Sequence, residues 1–556
     1  MEPRFPFGFG LSYTTFAVAA GAPSAEGSRI SLRATVENTG DRPGAEVVQV
    51  YLSAPDGKLE KAHQELCAFA KTPVLAPGGS VALDLSFDIE DFASYCEECA
   101  SYLLEPGDYT IRVGVSSRDT RVAGRLRLPR RVVTLRTQNR LVAPDSLRVL
   151  SRRDAAGRAS ACETRDACDA PVVELDPEAF AARDVADPAA TPPEPFRRRP
   201  GDTLATLRDV ADGLATMEEF VAQFSNLELA SCVNGILLDE AAPAEGAFAG
   251  GGGVGGVGDF HGKLRGEGSE FWHSGRYGIP ANNCQDGPSG IRLAIFGEDP
   301  GLDTEAACLM VSYPSATLLA QTWDPALAEA LGRCYASDME VAGLDGWLGG
   351  GVNIQRNPLC GRNFEYPSED PFLGGTIVGS LCRGVQTRKN GAPSGRYATM
   401  KHFAANNQEF ERVGGNSLVR ERALREIYLK AFQWCFRVGS PLAVMTSYNR
   451  INGEFAATSY DLLAAILRAE WGFDGVVMTD WWNGADPLRH CDAGGDVQMP
   501  GVRERRDAVL AALDAGAIDL APVQVSAARV MRLILRTSFV QQAAPAVPAA
   551  AGPSTR

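Results

Sequence analysis

Hydrophobic positions along this chain change period partway through. From Ile30 to about Leu128 they alternate with polar ones in short runs, as in Arg29-Ile30-Ser31-Leu32-Arg33-Ala34-Thr35-Val36, Val47 to Leu52, Val81 to Phe87 and Tyr109 to Val113. Asn38-Thr39-Gly40, Pro55-Asp56-Gly57, Pro77-Gly78-Gly79 and Pro106-Gly107-Asp108 separate the runs. A period of two broken by such turns predicts a β-sandwich. From about 140 to 205 Ala, Asp, Arg and Pro dominate and large apolar residues thin out, which predicts a linker or a partly ordered wrap. A helical pattern begins at Thr216-Met217-Glu218-Glu219-Phe220, with Thr216 as its cap. After Tyr277 strand-like and helix-like blocks alternate. Strand candidates end in Asn282 to Asp286, Gly351-Val352-Asn353, Ala398 to His402, Ala443 to Tyr448 and Met478-Thr479-Asp480, with helices such as Pro325 to Ala342 and Arg420 to Val438 between them. Such alternation over roughly 330 residues predicts a (β/α)8 barrel.

The strand ends carry nearly all the polar and charged groups of that region, and in a parallel barrel that face is where chemistry sits. Val476-Val477-Met478 leads into Thr479-Asp480 and then Trp481-Trp482. The reading is a short buried strand presenting one carboxylate beside a sugar-sized aromatic surface. The competing reading is an Asp that caps the next helix.

Composition narrows the classes. With 556 residues two or three domains are expected, and 45% hydrophobic with 22% charged residues describes a globular protein with a large core. A formal charge of -15 argues against nucleic acid as a partner. Arg197-Arg198-Arg199, the one basic run, is flanked by prolines as a linker would be. No apolar stretch reaches the roughly 18 residues that span a bilayer, and Met1-Glu2-Pro3-Arg4 leads into aromatics and glycines instead of the apolar run of a signal peptide. The 13 scattered cysteines suit free thiols in a reducing, cytoplasmic setting. Cys96-Glu97-Glu98-Cys99 has no second pair at zinc spacing, and the glycine run Gly250 to Gly258 lacks a Gly-Lys-Ser/Thr ending. The first reads as structural and the second as a loop near a mouth.

Five motifs then occur in one order: Asp286-Gly287-Pro288-Ser289-Gly290, Gly361 to Pro371 (GRNFEYPSEDP), Lys401-His402-Phe403, Met445-Thr446-Ser447-Tyr448-Asn449 and Thr479-Asp480-Trp481. Together they resemble glycoside hydrolase family 3, the β-glucosidase family. The N-terminal part resembles that family's fibronectin type III-like domain, and Pro6 to Tyr13 (PFGFGLSY) resembles the end of its α/β sandwich domain. The resemblance implies a multidomain α/β plus β protein with a permuted order. A sandwich-domain remnant spans 1–16, a fibronectin type III-like β-sandwich 17–130, a linker 131–212, a C-terminal TIM-like (β/α)8 barrel 213–540 and a disordered tail 541–556. It implies a retaining, exo-acting β-glycosidase in which Asp480 is the nucleophile that forms a glycosyl ester. Asp286, Arg362, Lys401 and His402 match residues that bind the sugar hydroxyls, and Arg412, Met445 and Tyr448 match positions lining the same subsite. Trp481 offers a stacking face, and Glu369-Asp370 would orient the Arg/Lys cluster. Lys401-His402 as an ion-paired strand end, and Glu369-Asp370 as purely structural, are the bland alternatives. His273 and His490 are given no role.

The proton donor is the gap. In the family it is usually a glutamate of the α/β sandwich domain, which is mostly absent here. One subgroup uses an Asp-His dyad on the loop after the Lys-His strand, but Ala404 to Arg412 holds no histidine. Glu409 and Glu411 are the next candidates. The chain is therefore expected to be a C-terminal portion of a longer enzyme, or else an impaired carbohydrate-binding remnant that docks to a separate sandwich domain. The substrate class is a β-linked oligosaccharide or aryl glycoside, with no metal, cofactor, nucleic acid or membrane implied. The aromatic segment Phe5 to Phe16 predicts a docking surface for a sandwich domain or a second copy.

Overall fold

The computed structural model describes residues 3–144, 146–149, 151, 169–198, 203–235, 255–257, 277–280, 282–292 and 310–537. His273, the expected tail and most of the glycine run lie outside them.

The alternating N-terminal pattern makes two facing sheets. Strand Arg29–Asn38 turns Ile30, Leu32, Ala34 and Val36 inward and pairs antiparallel with Phe16–Ala20, Ser24–Glu26 and Ser80–Asp88. The second sheet orders Glu65–Lys71, Val47–Ser53, Gly107–Gly114 and Thr120–Leu128, with Val48, Val50, Leu52, Ile111 and Val113 in the shared core. The stretch expected as a linker is partly used as sheet edge. Val172–Glu174 adds a parallel strand to Thr120–Leu128, and Arg183–Asp184 pairs with Val132–Arg136 in a small third sheet. These strands are two and three residues long, too short to show a period.

The C-terminal half is built on five parallel strands in the order Asn282–Gln285, Gly346–Gly351, Tyr397–Phe403, Ala443–Thr446 and Val476–Met478, with Gly255–Val257 antiparallel at one edge. Single parallel bridges, Met478 to Val497 and Gln498 to Asn234, carry the sheet onward. Among the described residues this is a curved partial barrel where eight full strands were expected. Gly494 and Gly495 lead into Val497, and Pro500, which has no N–H to give to a ladder, follows Gln498, so that position is held to a bridge. Helices Pro325–Val341, Pro371–Gln386, Lys430–Gly439 and Leu520–Arg536 cover the outside. The first two are capped by Asp324 and Asp370 with proline in the first turn. They cross at Gly332 and Gly384, where a Cβ on Gly332 would meet the Leu381 carbonyl at 2.2 Å. No helix among the described residues is long and apolar enough to cross a membrane.

The two halves keep separate cores but meet in a common apolar cluster, which Tyr51 and Leu66 of the sandwich join. Phe69 of the sandwich sets its ring edge against Trp323 (5.2 Å) and Phe372 (5.8 Å), and Phe7 packs on Trp323 from the N-terminal segment. Beside this contact Arg425 is buried between Glu421 (2.9 Å) and Glu470 (2.7 Å) under the Tyr95 ring. Glu426 accepts the Tyr95 N–H, and Lys430 reaches Glu65 at 3.0 Å.

Candidate active site

Asp480 stands two residues beyond strand Val476–Met478, and its backbone is clamped from both sides. Thr479 donates its N–H to the Val497 carbonyl (3.0 Å), and its hydroxyl accepts from Met499 N–H (2.8 Å). Asn483 Nδ2 donates to the Asp480 carbonyl, and the Tyr448 hydroxyl donates to the Trp481 carbonyl at 2.6 Å. The Asp480 side chain is 10% exposed. Its Oδ1 accepts the Trp481 N–H at 2.8 Å, whereas the buried Oδ2 has no hydrogen-bond partner. Asp480 caps no helix: the cap of the next helix, Pro487–Asp492, is Asp486.

The neighbouring strand ends supply cations. Lys401 Nζ donates to Asp286 Oδ1 at 2.6 Å and lies 3.9 Å from Glu365 Oε2. Arg362 donates Nε–H to Glu365 Oε1 at 2.5 Å, and its Nη2 lies 2.7 Å from His402 Nε2. Arg412 lies 4.5 Å over the Tyr448 ring and 3.3 Å from Glu409 Oε2. Arg292 comes within 3.9 Å of Asp286 Oδ2. Met445, at the end of its strand, is buried and pairs with Met478, and Trp481 is half-buried beside Asp480. The structure thus brings Asp286, Arg362, Lys401, His402, Asp480, Arg412, Met445, Tyr448 and Trp481 to one end of the sheet. An open cleft of about 700 Å³ adjoins them, lined in part by Asp286, Arg292, Arg362, Glu365, Glu409 and Arg412.

Electrostatics separate the roles. Burial pushes the Asp480 carboxyl above its ordinary value despite the opposing pull of Arg362 and Lys401. Burial also raises the Asp286 carboxyl, but there Lys401, the Gly287 N–H and Arg362 together hold the group below the ordinary value. Burial, then the charges of Arg362, Lys401 and Arg412, push His402 well below the usual imidazole range. His402 is therefore neutral, and its 3.6 Å approach to Asp480 Oδ2 is no ion pair. Burial, with Asp480 second, raises the Tyr448 phenol.

One expected role moves. Glu369 is exposed, and Asp370 caps helix Pro371–Gln386 by accepting the Leu373 N–H at 2.8 Å, so this pair does not orient the cations. Glu365, four residues earlier in the same motif, holds Arg362 and faces Lys401. The turn Asn363–Glu365 points Glu365 inward, while the proline after Asp370 makes that aspartate a helix start. Glu365 and Arg292 were both legible as charged residues in or beside quoted motifs. Tyr366, which reaches His402, and Asn406, which reaches Tyr366, carried no signal beyond adjacency. Glu409 accepts from Asn406 Nδ2 at 3.1 Å, and Glu411 is exposed.

A buried carboxylate at the end of a parallel strand, near cations that can meet sugar hydroxyls and open to a cleft, has the parts from which a glycoside hydrolase site is built. Residues 284–533 match the glycosyl hydrolase family 3 N terminal domain, and residues 46–117 match the fibronectin type III-like domain. A region similar to the glycosyl hydrolase family 3 N terminal domain thus follows one similar to a fibronectin type III-like domain. Beta-glucosidase A of Butyrivibrio fibrisolvens is 35% identical over 525 residues, covering 89% of this chain and 58% of the relative. A beta-glucosidase of Ruminococcus albus is 36% identical over 553 residues, covering 96% of this chain and 53% of the relative. The solved beta-glucosidase of Paenibacillus barengoltzii superposes with a TM-score of 0.78 at 33% identity, over 98% of this chain and 57% of that one. Beta-glucosidase 3B of Thermotoga neapolitana, solved in complex with glucose, gives a TM-score of 0.51 at 32% identity, over 59% of this chain and 44% of that one. The chain spans just over half the length of the curated relatives it matches.

Two expectations follow. Glu365→Gln removes the charge that holds Arg362 and faces Lys401, and should weaken glucose binding about 10- to 100-fold by calorimetry, at the cost of a charged hydrogen bond. Glu369→Gln should leave it within about twofold, as a surface change does; equal losses in both would restore Glu369 to the site. The second concerns Asp480, whose folded-state carboxyl titrates above the unfolded one. Its ionised form costs stability at any pH above the folded value and nothing below the unfolded value. Asp480→Asn should therefore melt higher than the parent at neutral pH, with the gain shrinking as pH falls into the carboxylate range. A lower melting point at neutral pH would contradict this.

Proposed function

We propose that this chain carries the sugar-binding and nucleophilic machinery of an exo-acting, retaining β-glucosidase. Asp480 attacks the anomeric carbon of a terminal non-reducing sugar through Oδ2 and forms a covalent glycosyl-aspartate, which water then hydrolyses. The observation that carries this reading is Asp480 Oδ2, buried at a strand end with no donor on it and cations on two sides. Asp286, Arg362, Lys401, His402, Arg412 and Arg292 are the partners for the sugar hydroxyls, with Met445, Tyr448 and Trp481 forming the wall. Glucose as the sugar is supported by the glucose complex of the Thermotoga neapolitana relative and by the beta-glucosidases above.

The reaction also needs a carboxylic acid about 5–5.5 Å from the nucleophile. The cleft-lining carboxylates Asp286, Glu365 and Glu409 each lie at ion-pair distance from a cation, Lys401, Arg362 and Arg412 respectively. That favours a second reading, in which the proton donor comes from an α/β sandwich domain on another polypeptide segment. Phe5, Phe9, Leu11 and Tyr13 are the docking surface in that reading, with Leu11 and Tyr13 each 92% exposed.

A 2-deoxy-2-fluoroglucoside with a good leaving group should label Asp480 in the parent and nothing in Asp480→Asn, by peptide mass spectrometry. A label elsewhere overturns the assignment. General acid help is worth about 10²–10⁴-fold. On the second reading, aryl glucosides with acidic leaving groups should outpace cellobiose by at least that much. Equal rates would place a working acid within this chain.

A further inference from the structure

His402 sits between two partners of different kinds. On one side of the ring Arg362 Nη2 lies 2.7 Å from Nε2. A guanidinium has donors only, so Nε2 must accept. On the other side the Tyr366 hydroxyl oxygen lies 3.1 Å from Nδ1. The single proton of the neutral ring therefore stands on Nδ1 and points at Tyr366. That oxygen also takes a donor from Asn406 Nδ2 at 2.9 Å. Tyr366 is fully buried, and its backbone carbonyl is held by the Thr317 hydroxyl (3.1 Å) and by Gln355 Nε2 (2.8 Å). Nε2 is also the atom 3.6 Å from Asp480 Oδ2, the carboxylate oxygen without a donor.

We propose that Tyr366, backed by Asn406, is a positioning residue that locks His402 in its Nδ1–H form, so that Nε2 accepts from Arg362 and no N–H stands beside Asp480 Oδ2. The other tautomer would set an N–H against the Arg362 donor, and turning that N–H away from Arg362 would bring it toward Asp480 Oδ2, 3.6 Å away. A carboxylate oxygen that gains a donor gives up electron density and attacks more slowly. Tyr366 thus acts through the ring of His402, which the proposed function sets against the sugar. Only the kinetic half of this inference rests on Asp480 being the nucleophile; the tautomer stands on the Arg362, His402 and Tyr366 geometry alone.

The chain has 5 histidines, so a ¹⁵N-histidine long-range spectrum resolves each ring. The His402 signals are identified by their loss in His402→Gln. Expected in the parent is a protonated Nδ1 with an unprotonated Nε2. In Tyr366→Phe the Nδ1–H form should give way to a measurable Nε2–H population, and in Asn406→Ala the same shift should be smaller. Formation of the fluoroglucosyl adduct should slow roughly 10- to 100-fold in Tyr366→Phe with glucose binding within about twofold, the effect of one hydrogen bond to a charged group. A protonated Nε2 in the parent sinks the proposal even if Tyr366→Phe fails to fold, as does an unchanged tautomer in a folded Tyr366→Phe. If the parent forms no adduct, the enzyme reading fails while the spectrum still decides the tautomer.

Discussion

The site rests on the pairing of charges taken out of water. Lys401 is carried to the end of a parallel sheet by a strand that is buried throughout, and the mostly buried Arg362 joins it from the turn at Asn363–Glu365. An unpartnered cation there would cost about 3–5 kcal/mol, a large share of the roughly 5–15 kcal/mol that keeps a domain folded. Asp286 and Glu365 remove that cost. Between them the two carboxylates fix where the two cations sit, and the cations in turn keep His402 uncharged. Asp480 differs from Asp286 in that its carboxyl is raised by burial, and its Oδ2 has no hydrogen-bond partner. Arg362 Nη1, Glu365 Oε2 and Arg412 Nε are likewise without one, so the buried polar atoms left open cluster where a substrate's hydroxyls would enter.

Legibility of the sequence followed the length and regularity of each signal. Arg29–Asn38 alternates over ten residues, so its inward face could be read from composition alone. The ends of Tyr397–Phe403 and Val476–Met478 could be read because acidic and basic residues directly follow apolar ones. The bridges at Val497 and Gln498 could not, because two residues beside glycines and a proline have no period. The same limit hid the sheet-edge strands at Val172–Glu174 and Arg183–Asp184. In the candidate site, residue types were legible and partners were not. Glu365 and Glu369 are equivalent as letters, and only the three-residue turn at Asn363 and the helix start at Pro371 decide which one faces inward.

The fibronectin-like unit contributes to the barrel's own hydrophobic core. Tyr51 and Leu66 from its strands belong to the same buried cluster as Trp347, Phe403 and Phe432. Arg425 closes this junction with charge, since its guanidinium lies among Glu421, Glu470 and the Tyr95 ring. The contacts extend toward the cleft. Asn452 bonds the Leu141 carbonyl and holds Val419 through both its N–H and its carbonyl, while Ser417 bonds the carbonyl of Ala405 in the loop after Lys401-His402.

That continuity bears on how such a gene can be cut and rejoined. Domain shuffling succeeds where few contacts cross a boundary, so that a piece can be moved without leaving raw surface behind. Here a crossover between the two halves would strip Trp323 and Phe372 of their covering ring, take the Tyr95 ring from Arg425 and take the Glu65 partner from Lys430. The cost would fall on recombinants before any change in catalysis could be selected. A swap with a distant homologue therefore has to carry both faces of this seam, or else place its junction away from it.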